Sequence, residues 1–224
     1  MIFDFPKPEG SRLVFSEDFR TRQIIQSRGG VIVDPITIGN GAEVRAIDTC
    51  EIRYANRRNL LAGATRGTWR LRFKTPAILG GLESVLVTDR GGGAGGAWAI
   101  TLYPAQFRFY FASGEFAGFN VSTSTVYDVG ISYDGTGVGN AGRMQAYVAG
   151  QPQALGFSGG GVVPASLGTP DNFDLVMFAY GNGKYCQIGT RLDFVRIYDA
   201  TWNAQEHLDD FNANWASKAF GGGP

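Results

Sequence analysis

The sequence predicts an all-β chain, a two-sheet antiparallel sandwich closed by one short C-terminal helix. Three observations predict it. Glycine is in excess, with 33 of 224 residues, about twice the usual share of roughly 7 %. It is joined by 16 Phe and 9 Tyr, ring residues that suit a pleated, half-buried surface between tight turns. Residues 68–74 alternate strictly, with Trp69, Leu71 and Phe73 on one face and Arg70, Arg72 and Lys74 on the other. That period of two is a strand with one face in the core and one in solvent. No helical period separates consecutive strands, so a βαβ fold is excluded.

Residues 1–30 read as an N-terminal arm or a first strand, 31–220 as one domain, and 221–224 as a loose tail. Within the domain, strands are expected at 31–38, 43–54, 68–74 and 83–88. Residues 97–103 and 106–111 form a hairpin, because Pro104 and Ala105 leave only a tight connection between them. Further strands fall at 126–133, 143–149, 173–180 and 185–198. Asp134-Gly135-Thr136-Gly137 and Ala149-Gly150-Gln151-Pro152 supply the turn residues that join them. The helix begins at Asn203, followed three places on by Glu206, a capping-box spacing. Leu208, Phe211 and Trp215 then make one apolar stripe. This places Asp209 and Asp210 on the outer face and His207 at the surface.

Charge and composition remove whole classes of function. Lys plus Arg and Asp plus Glu both number 20, and no basic stripe stands out, so nucleic acid is not an expected partner. One histidine and two cysteines are too few for a His- or Cys-rich zinc site or a disulfide framework. No apolar run approaches the ~20 residues that cross a bilayer, so no membrane partner is expected either. The start of the sequence lacks a basic segment followed by an apolar one. The expectation is a product made in the cytoplasm, or one secreted after removal of a signal not seen here.

Several motifs invite chemistry. Gly91, Gly93 and Gly96 have the spacing of a dinucleotide fingerprint, as do Gly137, Gly139 and Gly142, but each run leads into a strand rather than the helix such a site needs. They read as hairpin loops. Retaining glycosidases place two carboxyl groups ~5–5.5 Å apart, and no strand here carries acids at the alternating positions that would do so. Asp48, Asp89, Asp134 and Asp193 lie at strand ends. Asp48 and Asp134 are the calcium candidates among them, although an Asx turn is the commoner role of such an aspartate. Cys50 and Cys186 fall in separate strands. Buried free thiols are expected, with a late bridge in an oxidising particle as the alternative.

Ala46-Ile47-Asp48-Thr49-Cys50-Glu51-Ile52-Arg53-Tyr54 and the strand around Trp69 resemble the opening strands of concanavalin A-like, LamG-type jelly rolls. Ile131-Ser132-Tyr133-Asp134-Gly135 and Met144 to Gly150 are similar to the paired strands that follow in that family. Leu192-Asp193-Phe194-Val195-Arg196-Ile197-Tyr198-Asp199 with the capped helix is similar to its ending. The resemblance spans roughly residues 31–215 and implies a jelly-roll sandwich that binds glycans or proteins, sometimes through calcium. Ala149 departs from it, standing where an Asp is common, and the acidic motif of the family's glucanases is absent. The resemblance therefore implies no cofactor and no enzyme.

Three functional expectations follow. The first is a bacteriophage virion surface component, such as a capsid decoration, head-fibre or tail accessory protein. It would touch other virion proteins or copies of itself, as a homo-oligomer such as a trimer, and host glycans. The second is a carbohydrate-binding lectin module of a larger or secreted system, and the third a divergent glycoside hydrolase. Asp89, Arg90, Trp98, Tyr180 and Asn182 are the ligand-binding candidates, since sugars stack on aromatics flanked by such polar groups. A core position is an equally good reading of Trp98.

Overall fold

The computed structural model describes residues 10–218 apart from 20, 34–35, 40, 46–49, 56–59, 80–82, 90–96, 112–113, 159–161, 170–173 and 180–185. In chain order its strands begin with β1 (Leu13–Asp18), β2 (Gly30–Val33), β3 (Ile36–Gly39) and β4 (Gly41–Val44). Next come β5 (Glu51–Tyr54), β6 (Arg66–Lys74), β7 (Ser84–Thr88) and β8 (Trp98–Leu102). They continue as β9 (Gln106–Phe111), β10 (Phe116–Asn120), β11 (Val126–Asp134) and β12 (Met144–Val148). Last are β13 (Gln151–Gln153), β14 (Gly156–Phe157), β15 (Leu175–Met177) and β16 (Arg191–Tyr198). Three helical segments accompany them: α1 (Arg22–Ser27), α2 (Gly139–Arg143) and α3 (Ala204–Lys218).

The strands form two antiparallel sheets of eight. The first runs β13-β12-β11-β6-β16-β4-β3, with β1 also paired to β16; the second runs β14-β10-β9-β8-β7-β15-β5-β2. The two-sheet sandwich is as the sequence predicts. The core lies between the sheets, where alternate positions of β6 and β11 meet those of β8 and β9. Trp69 is edge-on to Trp98 at 5.4 Å and to Phe109 at 4.7 Å, and Phe73 stacks on Phe107 at 5.8 Å. Rings of this kind bury ~150–250 Å² each. At ~25 cal/mol per Å² that is at most about 4–6 kcal/mol apiece.

The predicted hairpin at 97–111 is present as β8 and β9, with the Tyr103 N–H donating to the Gln106 carbonyl at 2.8 Å. Other boundaries differ. The single strand expected at 31–38 is divided into β2 and β3, which lie in different sheets, and 43–54 is likewise divided into β4 and β5. Residues 13–18 are a strand integral to the first sheet, while β10, β13 and β14 fall where the sequence reads as loop. Glycines 137–142 open into the single turn of α2 before β12 starts, rather than running straight into a strand.

The largest correction concerns the outer face of the first sheet. Arg70, expected in solvent, is fully buried, and so are His207 and Asp210 of α3. The helix lies across this face, and its buried positions are polar. The Asn203 side chain accepts from the Glu206 N–H at 3.1 Å, and the Glu206 carboxylate accepts from the Asn203 N–H at 2.6 Å. The capping box is therefore as expected. Leu208 and Phe211 are half-buried flanks of a contact centred on His207 and Asp210.

Candidate functional site

On the second sheet, side chains alternate across the pleat. Phe107, Phe109 and Phe111 of β9, Trp98, Ile100 and Leu102 of β8, and Ala117 and Phe119 of β10 all belong to the core. Their neighbours must therefore point to the opposite, outer face. Register lines them up: Thr101 lies beside Arg108 and Arg108 beside Gly118, while Ala99, Tyr110 and Phe116 form the next row. Gln106 pairs with Asn120 at the far end.

Arg108 is the centre of this face. Its Nε and Nη2 donate to the Gln106 Oε1 at 3.1 and 3.0 Å, and its Nη1 donates to the Tyr110 hydroxyl at 2.9 Å. The guanidinium lies 4.1 Å from the centre of the Phe116 ring and 4.9 Å from that of Tyr103, within cation–π range of both. Burial is the main cause that raises the Tyr110 hydroxyl above its usual pKa; the Arg108 hydrogen bond opposes it and the Glu83 carboxylate adds to it. Two polar atoms here have no hydrogen-bond partner: Thr101 Oγ1, fully buried beside Arg108, and Glu83 Oε1. Such orphans are uncommon in folded proteins and ask for an explanation. The outcome is a polar, aromatic platform with an arginine held in place by neutral groups.

Of the ligand-binding candidates named from sequence, the two that are described, Asp89 and Trp98, are not part of this cluster. Asp89 is only 4 % exposed and accepts from the Trp98 N–H at 3.0 Å, tying the ends of β7 and β8 together. Burial holds its carboxyl well above the usual range. Trp98 is 1 % exposed and packed on Trp69, so no sugar can stack on it in this structure. The core reading of Trp98 is the one that fits. Arg90, Tyr180, Asn182 and the calcium candidate Asp48 lie outside the described residues. Asp134 makes an Asx turn, its Oδ1 accepting from the Thr136 N–H at 3.0 Å and hydroxyl at 2.6 Å, which lowers its pKa. Among the described residues no three of His, Cys, Asp and Glu gather as a metal site would require. Cys50 and Cys186 are both buried free thiols, and burial pushes Cys186 up to about 12.

A cavity of about 510 Å³ opens at the other side of the molecule, beside the start of α3, with Arg66, Asp134, Arg143 and Asp199 on its walls. Asp134, Arg143 and Asp199 are already committed. Asp199 accepts from the Arg12 N–H and Nε at 2.7 and 2.9 Å, and Arg143 donates to the carbonyls of Gly137 and Val163. Ser132 also lines it, 2.8 Å from His207 Nε2, a spacing that suggests a nucleophile and base. The Ser132 hydroxyl, however, donates to the Trp202 carbonyl at 2.6 Å. The pair fastens α3 to the sheet.

Sequence reasoning passed over Arg108 because its strand shows only an ordinary alternation. The signal lies in register. Tyr103, Arg108 and Phe116 are far enough apart in sequence to look unrelated, and become one cluster when β8, β9 and β10 pair.

No family model and no curated protein matches the sequence. Solved structures match it in fold. The binding domain of botulinum neurotoxin serotype D is 10 % identical, over 90 % of this chain and 51 % of that one, with a TM-score of 0.63. The binding domain of botulinum neurotoxin DC in complex with rat synaptotagmin II is 10 % identical over 82 % and 46 %, with a TM-score of 0.61. Trypanosoma rangeli sialidase in complex with sialic acid is 14 % identical over 81 % and 29 %, with a TM-score of 0.55. The chain spans about half or less of the length of these proteins, and at such identities the likeness is one of fold, a β-sandwich.

Proposed function

We propose that this chain is a non-enzymatic, carbohydrate-binding module that holds its ligand on the outer face of the second sheet. The observation that carries the reading is the cluster of Arg108 with Tyr103, Tyr110, Phe116, Gln106 and Asn120. Saccharides are recognised by an aromatic surface for the ring and a few fixed polar groups for the hydroxyls, and the cluster supplies both. Tyr103 is 37 % exposed, enough to offer its ring. The other sheet has α3 across its outer face, whereas on the second sheet Arg108, Tyr110 and Phe116 at the β9–β10 end are partly exposed, although Ala99 and Thr101 beside them are buried. The absence of an alternating acid motif in the sequence supports binding without hydrolysis. The fold likeness to binding domains of toxins agrees with this reading.

A glycan array probed with the wild-type chain and with Tyr103→Ala tests it. Retention of one or more glycans by the wild type, lost or weakened at least tenfold in the variant, is the expected result. Retention of none would end the reading. A reducing-end assay on any retained polysaccharide checks the absence of hydrolysis, and steady release of new ends would overturn that part. A virion surface is the setting that the sequence favours, and there such a face would meet host glycans. Mass spectrometry of purified particles from the source should find the chain in stoichiometric amounts, and particles lacking it would remove that setting.

A further inference from the structure

We infer that the platform reads an acidic sugar, with the anionic group of the saccharide docked on Arg108. This rests on the carbohydrate-binding reading and names the substrate class. Among the described residues eight other arginines lie within 3.5 Å of a carboxylate: Arg12, Arg28, Arg45, Arg53, Arg70, Arg72, Arg191 and Arg196, while Arg143 is held by backbone carbonyls. Arg108 differs. Its hydrogen bonds go to an amide oxygen and a phenol, and its guanidinium lies over the Phe116 and Tyr103 rings. A half-buried guanidinium whose hydrogen bonds go only to neutral groups is not tied up in an ion pair, in a setting drier than bulk water. Such a group favours an incoming anion more than an exposed lysine would.

The donor count agrees. A guanidinium has five N–H groups in a rigid fork, and three hydrogen bonds are made here. Two N–H groups remain, one on each terminal nitrogen, and that is the arrangement that grips a planar carboxylate or two sulfate oxygens. The hydrogen bonds to Gln106 and Tyr110, with the Phe116 and Tyr103 rings beside it, hold the fork before a ligand arrives, which lowers the ordering cost of binding. Glu83 Oε1 and Thr101 Oγ1, both buried in the protein, have no hydrogen-bond partner among the described residues. Glu83 also disfavours a ligand that is a bare anion, since its own charge is repelled where a sugar hydroxyl is welcomed. Gly118, level with Arg108 on β10, is a close approach of the two strands, since a Cβ there would stand 2.4 Å from the Phe107 carbonyl oxygen.

The test uses matched pairs that differ only in charge: sialyllactose against lactose, a galacturonate tetramer against its methyl ester, and a sulfated disaccharide against the unsulfated one. Titration calorimetry is run with the wild type, Arg108→Gln and Arg108→Lys, each checked for an unchanged melting temperature. The expected result is that at least one acidic member binds tenfold or more tighter than its neutral partner. Arg108→Gln should then reduce that preference to within about twofold. A preference confined to the carboxylates, lost in Arg108→Lys as well, assigns planar bidentate recognition. A preference for the sulfated member, kept in part by Arg108→Lys, assigns sulfate. Neutral and acidic members bound alike would overturn the inference while leaving sugar binding intact. An acidic preference that survives Arg108→Gln would overturn it too. Binding of no saccharide at all would remove both readings together.

Discussion

At the scale of single residues, the turn between β12 and β13 shows how a departure from a familiar pattern acquires a physical cost. Val148 pairs with Gln151, so Ala149 and Gly150 alone make the turn. Both have positive φ, at 51° and 75°, as a type I′ hairpin requires. Glycine is needed at 150 twice over, because a Cβ there would also stand 2.9 Å from the Leu208 Cα. Ala149 has no such compensation. An alanine in the left-handed region is strained by roughly 1 kcal/mol, whereas Asn or Asp tolerates it. The Asp usual at this position in the jelly rolls that the sequence resembles is thus explained by conformation, without invoking calcium. We expect Ala149→Asn to stabilise the fold by about 0.5–1 kcal/mol, a rise of about 1–4 °C in melting temperature. A calorimetric scan in which the variant melts at or below the wild type would show that the turn bears no such strain.

At the scale of elements, the docking of α3 explains why period two in a strand was only half legible. Arg70 and Arg196 are register partners on the outer face of the first sheet, and like charges in that position repel. Read from sequence, they suggest a solvated face. The structure relieves the repulsion with acids instead. Arg70 Nε meets Asp210 Oδ2 at 2.8 Å, Arg70 Nη2 meets Asp128 Oδ1 at 2.7 Å, and Arg196 Nη1 reaches Asp210 Oδ1 at 3.5 Å. Two arginines side by side on adjacent strands were therefore a signal for a missing anion, and the helix carries it. Gly130 makes the approach possible, since a Cβ there would lie 2.2 Å from the His207 ring. Removing one partner from a buried ionic network leaves a charge without compensation, which costs about 3–5 kcal/mol. Asp210→Ala should lose that much in urea unfolding. Its neighbour Asp209 is exposed and bonded only to Gln205, so Asp209→Ala should change stability by less than about 0.5 kcal/mol. Equal effects from the two variants would mean that α3 is not held by its charges.

For the molecule as a whole, the two-sheet class was legible because glycine, aromatic content and alternation all point one way. The short strands β13 and β14 and the strand β10 were not, because turn residues such as Gly118 and Asn120 occupy them. The candidate site was illegible for a deeper reason, that lateral neighbours in a sheet are set by register and not by spacing along the chain. His207 illustrates the same limit and gives a global test. Read as a surface group, it should titrate near 6.5. In the structure it is fully buried, stacked on Tyr147 at 4.1 Å, with Nε2 2.8 Å from Ser132 Oγ. The Ser132 hydroxyl gives its proton to the Trp202 carbonyl, so Nε2 is the protonated nitrogen and Nδ1 carries the lone pair. Protonating Nδ1 would place a second cation in a dry site beside Arg70. Burial first, and Arg70 second, lower its pKa to about 2. The sign follows directly. Between about 6.5 and 2 the unfolded chain binds one proton that the folded chain refuses, so stability falls with decreasing pH by about 1.4 kcal/mol per unit from this group. The raised carboxyl of Asp89 acts in the opposite sense, losing stability as pH rises. Because the chain has one histidine, its imidazole signal in proton NMR is unambiguous. That signal should stay at its neutral position from pH 8 down to at least pH 4, or until the fold is lost. The urea-derived stability should meanwhile decline between pH 6 and pH 4 more steeply in the wild type than in His207→Gln, by one proton's worth. An imidazole that titrates near 6.5 in the folded chain would mean that α3 is loosely seated and that the first sheet, like the second, has a face open to water.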